Sequence, residues 1–412
     1  MFDLKRFRLR ITRRISILLA VIFFFSVLLT GLETTASPSI DAVRQAVERS
    51  ARYLVAQTRE DGMFVYRINL NPRIQMRRKY NMLRHAGTIY AMSTYYQLQD
   101  DRAVRSAMER AGQYLRDESI APISGRENLL AVWSNPDVTG SDSPRQAKLG
   151  GTGLGLVALL SLEEIQPGFT PLEDLQALGR FLVYMQKKDG SFYSKYIPSE
   201  GGRDDRWQSL FYPGEAALGL AMLYEKDASE VWLEAAAKAI AYLARSREDE
   251  IKVPADHWAL LATERLLGLD REALPVSRQL LVRHAIQICK TILDSQIDFL
   301  DRPEYEGGFS ANGRVTPTAT RLEGLQGALS FLPPDRAIYR RIDSAVARGI
   351  AFLLRSQIDE GEFAGAFPRA IGPISSDLPN ADQFNRRVTE VRIDYVQHAL
   401  SAMIQYLQRG GD

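Results

Sequence analysis

The chain has one cysteine, Cys289, in 412 residues, and only four histidines. A lone cysteine excludes a disulfide framework and any zinc site built on cysteine pairs. An excess of either charge is missing too, since 52 Lys and Arg stand against 50 Asp and Glu. Six of those basic residues and one acidic residue lie in residues 1–14, which leaves 46 against 49 for the remainder. A near-neutral body without a basic stripe argues against a nucleic-acid partner. No Pro-, Ser- or Gly-rich linker divides the chain. Its length, which by itself suggests two domains, is therefore read as one repeat-built domain over residues 38–412.

The first feature present is an address. The basic stretch MFDLKRFRLRITRR is followed by an uncharged apolar run from Ile15 to Leu32. That order reads as a signal peptide or signal anchor over residues 1–37, with its basic end held in the cytoplasm. The run is long for a signal-peptide core and short for a straight membrane span, so both forms stand. Thr34-Thr35-Ala36 supplies small residues for cleavage, and no cysteine follows for lipid attachment. The expected location is the cell envelope, either tethered to the membrane by this segment or released to the periplasm or exterior.

Beyond the leader the periodicity is helical, and the helices alternate in character. Ile40–Gln57, Arg102–Arg116, Leu172–Gln186, Ser229–Arg245, Ser277–Ser295 and Ala337–Ser356 carry a charged face and read as outer helices. Asn81–Leu98, Gly151–Glu163, Gly214–Glu225, Asp256–Leu267, Thr318–Phe331 and Glu390–Leu407 are poor in charge and rich in Ala, Gly and Leu. A helix that is small and apolar all round is one buried on all sides. The expected fold is all-α, an (α/α)6 toroid with an inner and an outer ring. The longer outer-to-inner connections would hold the function.

A repeat runs through this pattern. Outer helices end in Gln, an acidic or Gly turn, and Phe: Gln57…Asp61-Gly62-Met63-Phe64, Gln186…Asp189-Gly190-Ser191-Phe192, Gln296…Gly307-Gly308-Phe309 and Gln357…Gly361-Glu362-Phe363. The Gln amide is expected to meet the last carbonyls of its helix, Gly to make the turn and Phe to plug the gap between hairpins. This resembles the Q-x-x-D-G-x-W/F repeat of the terpenoid cyclase and prenyltransferase toroids. The resemblance implies the fold rather than the chemistry. The D-x-D-D acid motif of squalene-type cyclases is absent, the nearest approach being Asp204-Asp205. Cys289 sits mid-helix, away from the zinc position of prenyltransferases, and lanthionine cyclases need two cysteine ligands. The other group on this architecture is the six-hairpin carbohydrate enzymes, whose pockets are lined by acidic, His, Arg, Tyr and Trp side chains at inner-helix starts.

Such residues gather here. His85, His257 and His398 lie at inner-helix starts, while His284 lies on an outer helix and reads as surface or packing. Asp394 and His398 are four apart, which would let the carboxylate orient the imidazole for acid–base work. Glu215 and Asp256 open two further inner helices and are the candidate general acid and base of a glycosidase. His85, His257 and the Asp394–His398 pair are the alternative set, suited to proton abstraction by a lyase or epimerase. Arg84 and Arg321 would hold a substrate carboxylate, with Tyr80 and Tyr395 as further acid–base groups. Asn81, Tyr212, Trp258 and Glu323 complete the expected substrate wall. Gly150-Gly151-Thr152-Gly153 would admit a ligand close to the backbone. All six inner-helix N-termini should share one face and favour anions.

Each residue has a plainer reading: Asp256 as an N-cap, Glu215 answering a helix dipole, Arg321–Glu323 as an ion pair, His85 as a core histidine bonded to a carbonyl. Zinc on His85, His257 and His398 is the weakest of the site readings, and no cofactor is expected. The leading functional reading is an exported or membrane-anchored enzyme acting on a small or polymeric carbohydrate. The alternatives are an isoprenoid- or lipid-binding protein and a non-catalytic glycan- or envelope-binding scaffold.

Overall fold

A helix that is apolar around its whole circumference needs neighbours on every side. In the computed structural model, which describes residues 37–77, 79–271 and 273–410, the helix Leu149–Ile165 is buried continuously from Leu149 to Glu163. Among the described residues there are twelve long helices. The outer set is α1 (Ile40–Ala56), α3 (Arg102–Tyr114), α5 (Leu172–Met185), α7 (Glu230–Ser246), α9 (Arg278–Leu293) and α11 (Ala337–Ser356). The inner set is α2 (Met82–Leu98), α4 (Leu149–Ile165), α6 (Tyr212–Asp227), α8 (His257–Gly268), α10 (Val315–Leu329) and α12 (Ile393–Gly410). Each inner helix packs on the next, and α12 packs back on α2, which closes the ring. The (α/α)6 toroid follows. Residues from Pro38 onward make one compact unit.

Small residues set the spacing of the inner ring. A Cβ at Gly153 on α4 would lie 2.8 Å from the Ala216 backbone nitrogen on α6, and one at Gly214 would lie 2.6 Å from the Ala259 nitrogen on α8. These glycines, and Gly150 against Glu215, serve close helix packing, so α6 fills the approach expected for a ligand at Gly150 and Gly153.

The fold is mostly helical rather than all-α. The loops ahead of α4 and α6 form an antiparallel five-stranded sheet of β2 (Ile120–Ile123), β3 (Arg126–Ser134), β4 (Gln146–Lys148), β5 (Lys195–Ile197) and β6 (Gly202–Asp204), in that order. A second pair joins β1 (Arg67–Asn69) to β7 (Glu390–Arg392) and ties the first connection to the last. Among the described residues no helix is long and apolar enough to cross a membrane. The expected leader lies outside the described residues apart from Ser37.

The repeat has a different job from the one its position suggested. The Gln186 amide donates to the Ala235 carbonyl on α7, Gln296 to Ala345 on α11, and Gln357 to Ala46 on α1. Each glutamine thus staples its hairpin to the next outer helix instead of capping its own. Gly190 and Gly307 stand at φ +97° and +77°, and a Cβ there would come within 2.5 Å and 2.2 Å of carbonyl oxygens on that same neighbour. Two assignments shift. Thr58, not Gln57, bridges to Phe64 as Gln186 bridges to Phe192. In the last repeat, Gly365 and the buried Phe367 take the places assigned to Gly361 and Phe363, because Gly365 meets the Arg49 carbonyl whereas Gly361 meets nothing.

Candidate active site

The N-terminal ends of all six inner helices open on one cavity of about 610 Å³, a size ordinary for small-molecule sites. Helix α2 brings Arg84, α6 brings Glu215, α8 brings His257 and Trp258, α10 brings Arg321, and α12 brings Asp394, Tyr395 and His398. The intervening loops add Arg314, Arg369, Arg387 and Arg392.

Two imidazoles stand side by side on its wall. The rings of His257 and His398 are 5.6 Å apart and nearly perpendicular. His257 is packed between Phe211 and Trp258, with ring centroids at 5.1 Å and 5.0 Å, and neither of its buried nitrogens has a partner. A buried polar group left unpaired is costly, and such groups in native structures ask for an explanation. Burial, then the neighbouring His398 and Arg321, hold its pKa well below the usual 6.5, so His257 is neutral. His398 differs because its Nδ1 lies 2.7 Å from Glu323 Oε2. Burial alone would depress it, but the Glu323 carboxylate, helped by Asp394, outweighs burial and raises it. Their surroundings therefore shift the two rings in opposite directions, burial favouring neutral His257 and Glu323 favouring protonated His398.

The two carboxyls on the wall are pushed apart in the same manner. Glu215 is buried with Oε2 unpartnered, and burial, then Asp256, raises its pKa well above 4.5. Burial would also raise Asp394, yet Arg84 and Arg392 outweigh it and hold the carboxylate ionised. Arg84 donates from Nε to Asp394 Oδ2 at 2.9 Å, and Arg392 binds both oxygens of the same group. Arg84 also donates to the Tyr66 hydroxyl.

Several expected groupings resolve otherwise. The Asp394–His398 pair does not form: Asp394 is claimed by two arginines and His398 by Glu323, 75 residues away on α10. Arg321 does not pair with Glu323; it donates to the Phe309 carbonyl. Asp256 does not line the cavity. It caps α8 through the Ala259 N–H at 3.1 Å and accepts from the buried Arg247, which also contacts His284. Burial lifts Asp256 to about 6 against the pull of Arg247. Of the two roles expected for His284 it takes packing rather than surface, as a buried partner of Arg247. His85 lies apart as well. Its Nε2–H donates to the Ala111 carbonyl at 2.8 Å and its Nδ1 accepts from the Tyr80 hydroxyl at 2.7 Å, which places His85 in the packing, while Tyr80 and Asn81 border a smaller cavity beside the main one. Asn81 caps α2 through the Leu83 N–H. Tyr212 stacks edge-on with Trp207 and does not reach the main cavity. Tyr395 does, its hydroxyl donating to Glu390.

His85 is too far removed for the three-histidine zinc reading. Donor atoms of His257, Glu323 and His398 do lie within 4.8 Å of one another, a set that fits a divalent cation by ligand type. The short Glu323–His398 hydrogen bond already satisfies that pair without one.

Sequence reasoning missed the arginines of the loops. A signal was available: Arg314 is the N-cap residue of α10, Lys148 that of α4, and Arg392 immediately precedes α12. A cation at a helix N-terminus opposes the helix dipole and asks for a reason.

No family model and no curated sequence relative matches the chain. Solved structures do. A sugar epimerase from a ruminal bacterium superposes with a TM-score of 0.63 at 12% identity, covering 90% of this chain and 99% of the other. The cellobiose 2-epimerase of Bacillus thermoamylovorans gives 0.62 at 12% identity, with the same coverage of each chain. An α-1,6-mannanase from Salegentibacter sp. gives 0.57 at 12% identity, covering 89% and 98%. At such identity the likeness establishes the shared (α/α)6 fold over nearly the whole of each chain.

Proposed function

We propose that this chain is a carbohydrate-active enzyme that moves protons at a sugar carbon beside a carbonyl or carboxyl group. The observation that carries this reading is the His257–His398 pair, two imidazoles 5.6 Å apart on the cavity wall whose surroundings favour the neutral form of one and the protonated form of the other. An acid and a base whose proton affinities are pushed apart are what proton-transfer catalysis requires. Neutral His257 takes the proton from carbon, the C–H electrons become the C=C bond of an enediol, and the oxygen receives the His398 proton. Delivery of a proton to the opposite face of the same carbon gives an epimer, and to its neighbour an isomer. That similar toroids include sugar epimerases supports the sugar as substrate. The arginine-lined wall disfavours the isoprenoid reading, which needs an apolar pocket. The envelope location rests on the basic leader and its apolar run.

The test is incubation with an aldohexose, a hexuronate and a neutral disaccharide in D2O, read by NMR. Deuterium should enter the carbon beside the carbonyl, and His257→Gln should abolish its uptake. Release of new reducing ends without exchange would overturn proton abstraction. It would favour a second reading, glycoside hydrolysis with Glu215 as acid and Asp394 as its ionised partner, which their opposed protonation supports.

A further inference from the structure

The cations around the mouth are not balanced by acids. Arg387 is held by Glu390, and Arg84 and Arg392 share Asp394. Three others on the same wall form no ion pair among the described residues. Arg314 donates to the Asn312 side chain at 3.1 Å, Arg321 to the Phe309 carbonyl, and Arg369 lies 4.7 Å from the Phe384 ring centroid. Two of them feel their neighbours: burial and then Arg314 lower Arg321, and burial, then Arg387 and Arg314, lower Arg369.

A second basic station lies beside this one. Arg84 lines both the main cavity and a smaller one of about 240 Å³ that carries Lys148 and Lys195 with a set of hydroxyls including Ser134 and Thr139. Lys148 on β4 and Lys195 on β5 are direct register partners. Like charges directly opposite on neighbouring strands destabilise a sheet. Neither lysine forms an ion pair among the described residues: Asp204, opposite Lys195 on β6, is bonded to Arg206 and reaches Lys195 only through space. Lys148 and Arg314 also stand at helix N-termini, where a cation is disfavoured. Two clusters of cations are thus held at a cost that an anion would remove.

We propose that the site takes an anionic oligosaccharide bearing acid groups on more than one sugar. One acid group sits among Arg314, Arg321 and Arg369, and another reaches Lys148 and Lys195 past Arg84. The inference rests on the carbohydrate reading above but not on its chemistry. Bidentate guanidinium contacts suit carboxylates and sulfates alike, so the shared feature is the recurring oxyanion.

Calorimetric binding to the whole protein tests it, with four probes: a monomeric hexuronate, a tetra-uronate, a sulfated neutral tetrasaccharide and an uncharged tetrasaccharide. One or both anionic tetramers should bind at least about tenfold tighter than the uncharged one, and the advantage should shrink with salt. The tighter of the two identifies the acid. Lys148→Gln/Lys195→Gln should weaken the anionic tetramer about tenfold and leave the monomer unchanged, while Arg321→Gln/Arg369→Gln should weaken both. Tm of the lysine double variant should stay level or rise, since repulsion is removed. Equal affinity for charged and uncharged tetramers overturns the proposal, as does a lysine variant that binds the tetramer like wild type or melts earlier. A failed deuterium exchange with intact anion preference would sink the proton-transfer reading alone.

Discussion

Acid should destabilise this protein through histidines that have no part in its chemistry, and His85 allows the size of the effect to be worked out. The Ala111 carbonyl can only accept, so Nε2 carries the ring proton and Nδ1 must accept from the Tyr80 hydroxyl, whose oxygen in turn accepts from the Phe64 N–H. A second ring proton has no acceptor in this arrangement. Burial moves the pKa from 6.5 to about 4, against a small upward pull from Ala111. The folded value lies below the unfolded one, so the unfolded chain binds the proton first. Stability is full above 6.5, falls as pH drops, and levels off near 4. Over that interval His85 removes about 3 kcal/mol, and between about pH 7.5 and about pH 5 roughly 2 kcal/mol. Urea unfolding of wild type and His85→Gln at those two pH values checks this. The variant, less stable at neutral pH, should lose about 2 kcal/mol less on acidification. Equal losses in the two proteins would refute the neutral, doubly bonded His85.

Replacing Glu323 by Gln removes the carboxylate that lifts His398 and leaves burial in command. The alkaline limb of the pH–rate profile should then move to lower pH while the fold persists by circular dichroism; an unmoved limb would remove Glu323 from that task. Gly307→Ala asks a side chain to adopt φ +77° with its Cβ 2.2 Å from the Arg348 carbonyl. It should cost about 2–4 kcal/mol from the left-handed backbone and the forced shift of α11. A Tm within experimental error of wild type would show that the hairpin staple carries no stability.

Much of the fold was legible because burial has a period. Ten of the twelve long helices begin within two residues of the boundary read from apolar spacing; α10 begins three residues before its expected Thr318 and α12 three after its expected Glu390. The strands of the long connections were not legible. β4 and β5 are three residues each, and their pairing joins segments some fifty residues apart, which no local pattern records. The repeat was found, but not its action, since the partner carbonyl of Gln296 is Ala345 on the next hairpin.

For the site, the sequence by itself determined that the inner-helix starts face one mouth, and with them part of its polar wall. A chain of alternating outer and inner helices brings every inner N-terminus to the same side, so Arg84, Glu215, His257, Arg321, Asp394 and His398 share a wall. What only the tertiary structure decided is who pairs with whom. Asp394 was four residues from His398 and went to Arg84 and Arg392 instead; Asp256 went to the α8 cap and Arg247; Glu323, from the neighbouring inner helix, took His398. Helical spacing says which side chains share a face, but a protonation state follows from desolvation and from charges within a few ångströms. Those distances are set by how six hairpins close into a ring.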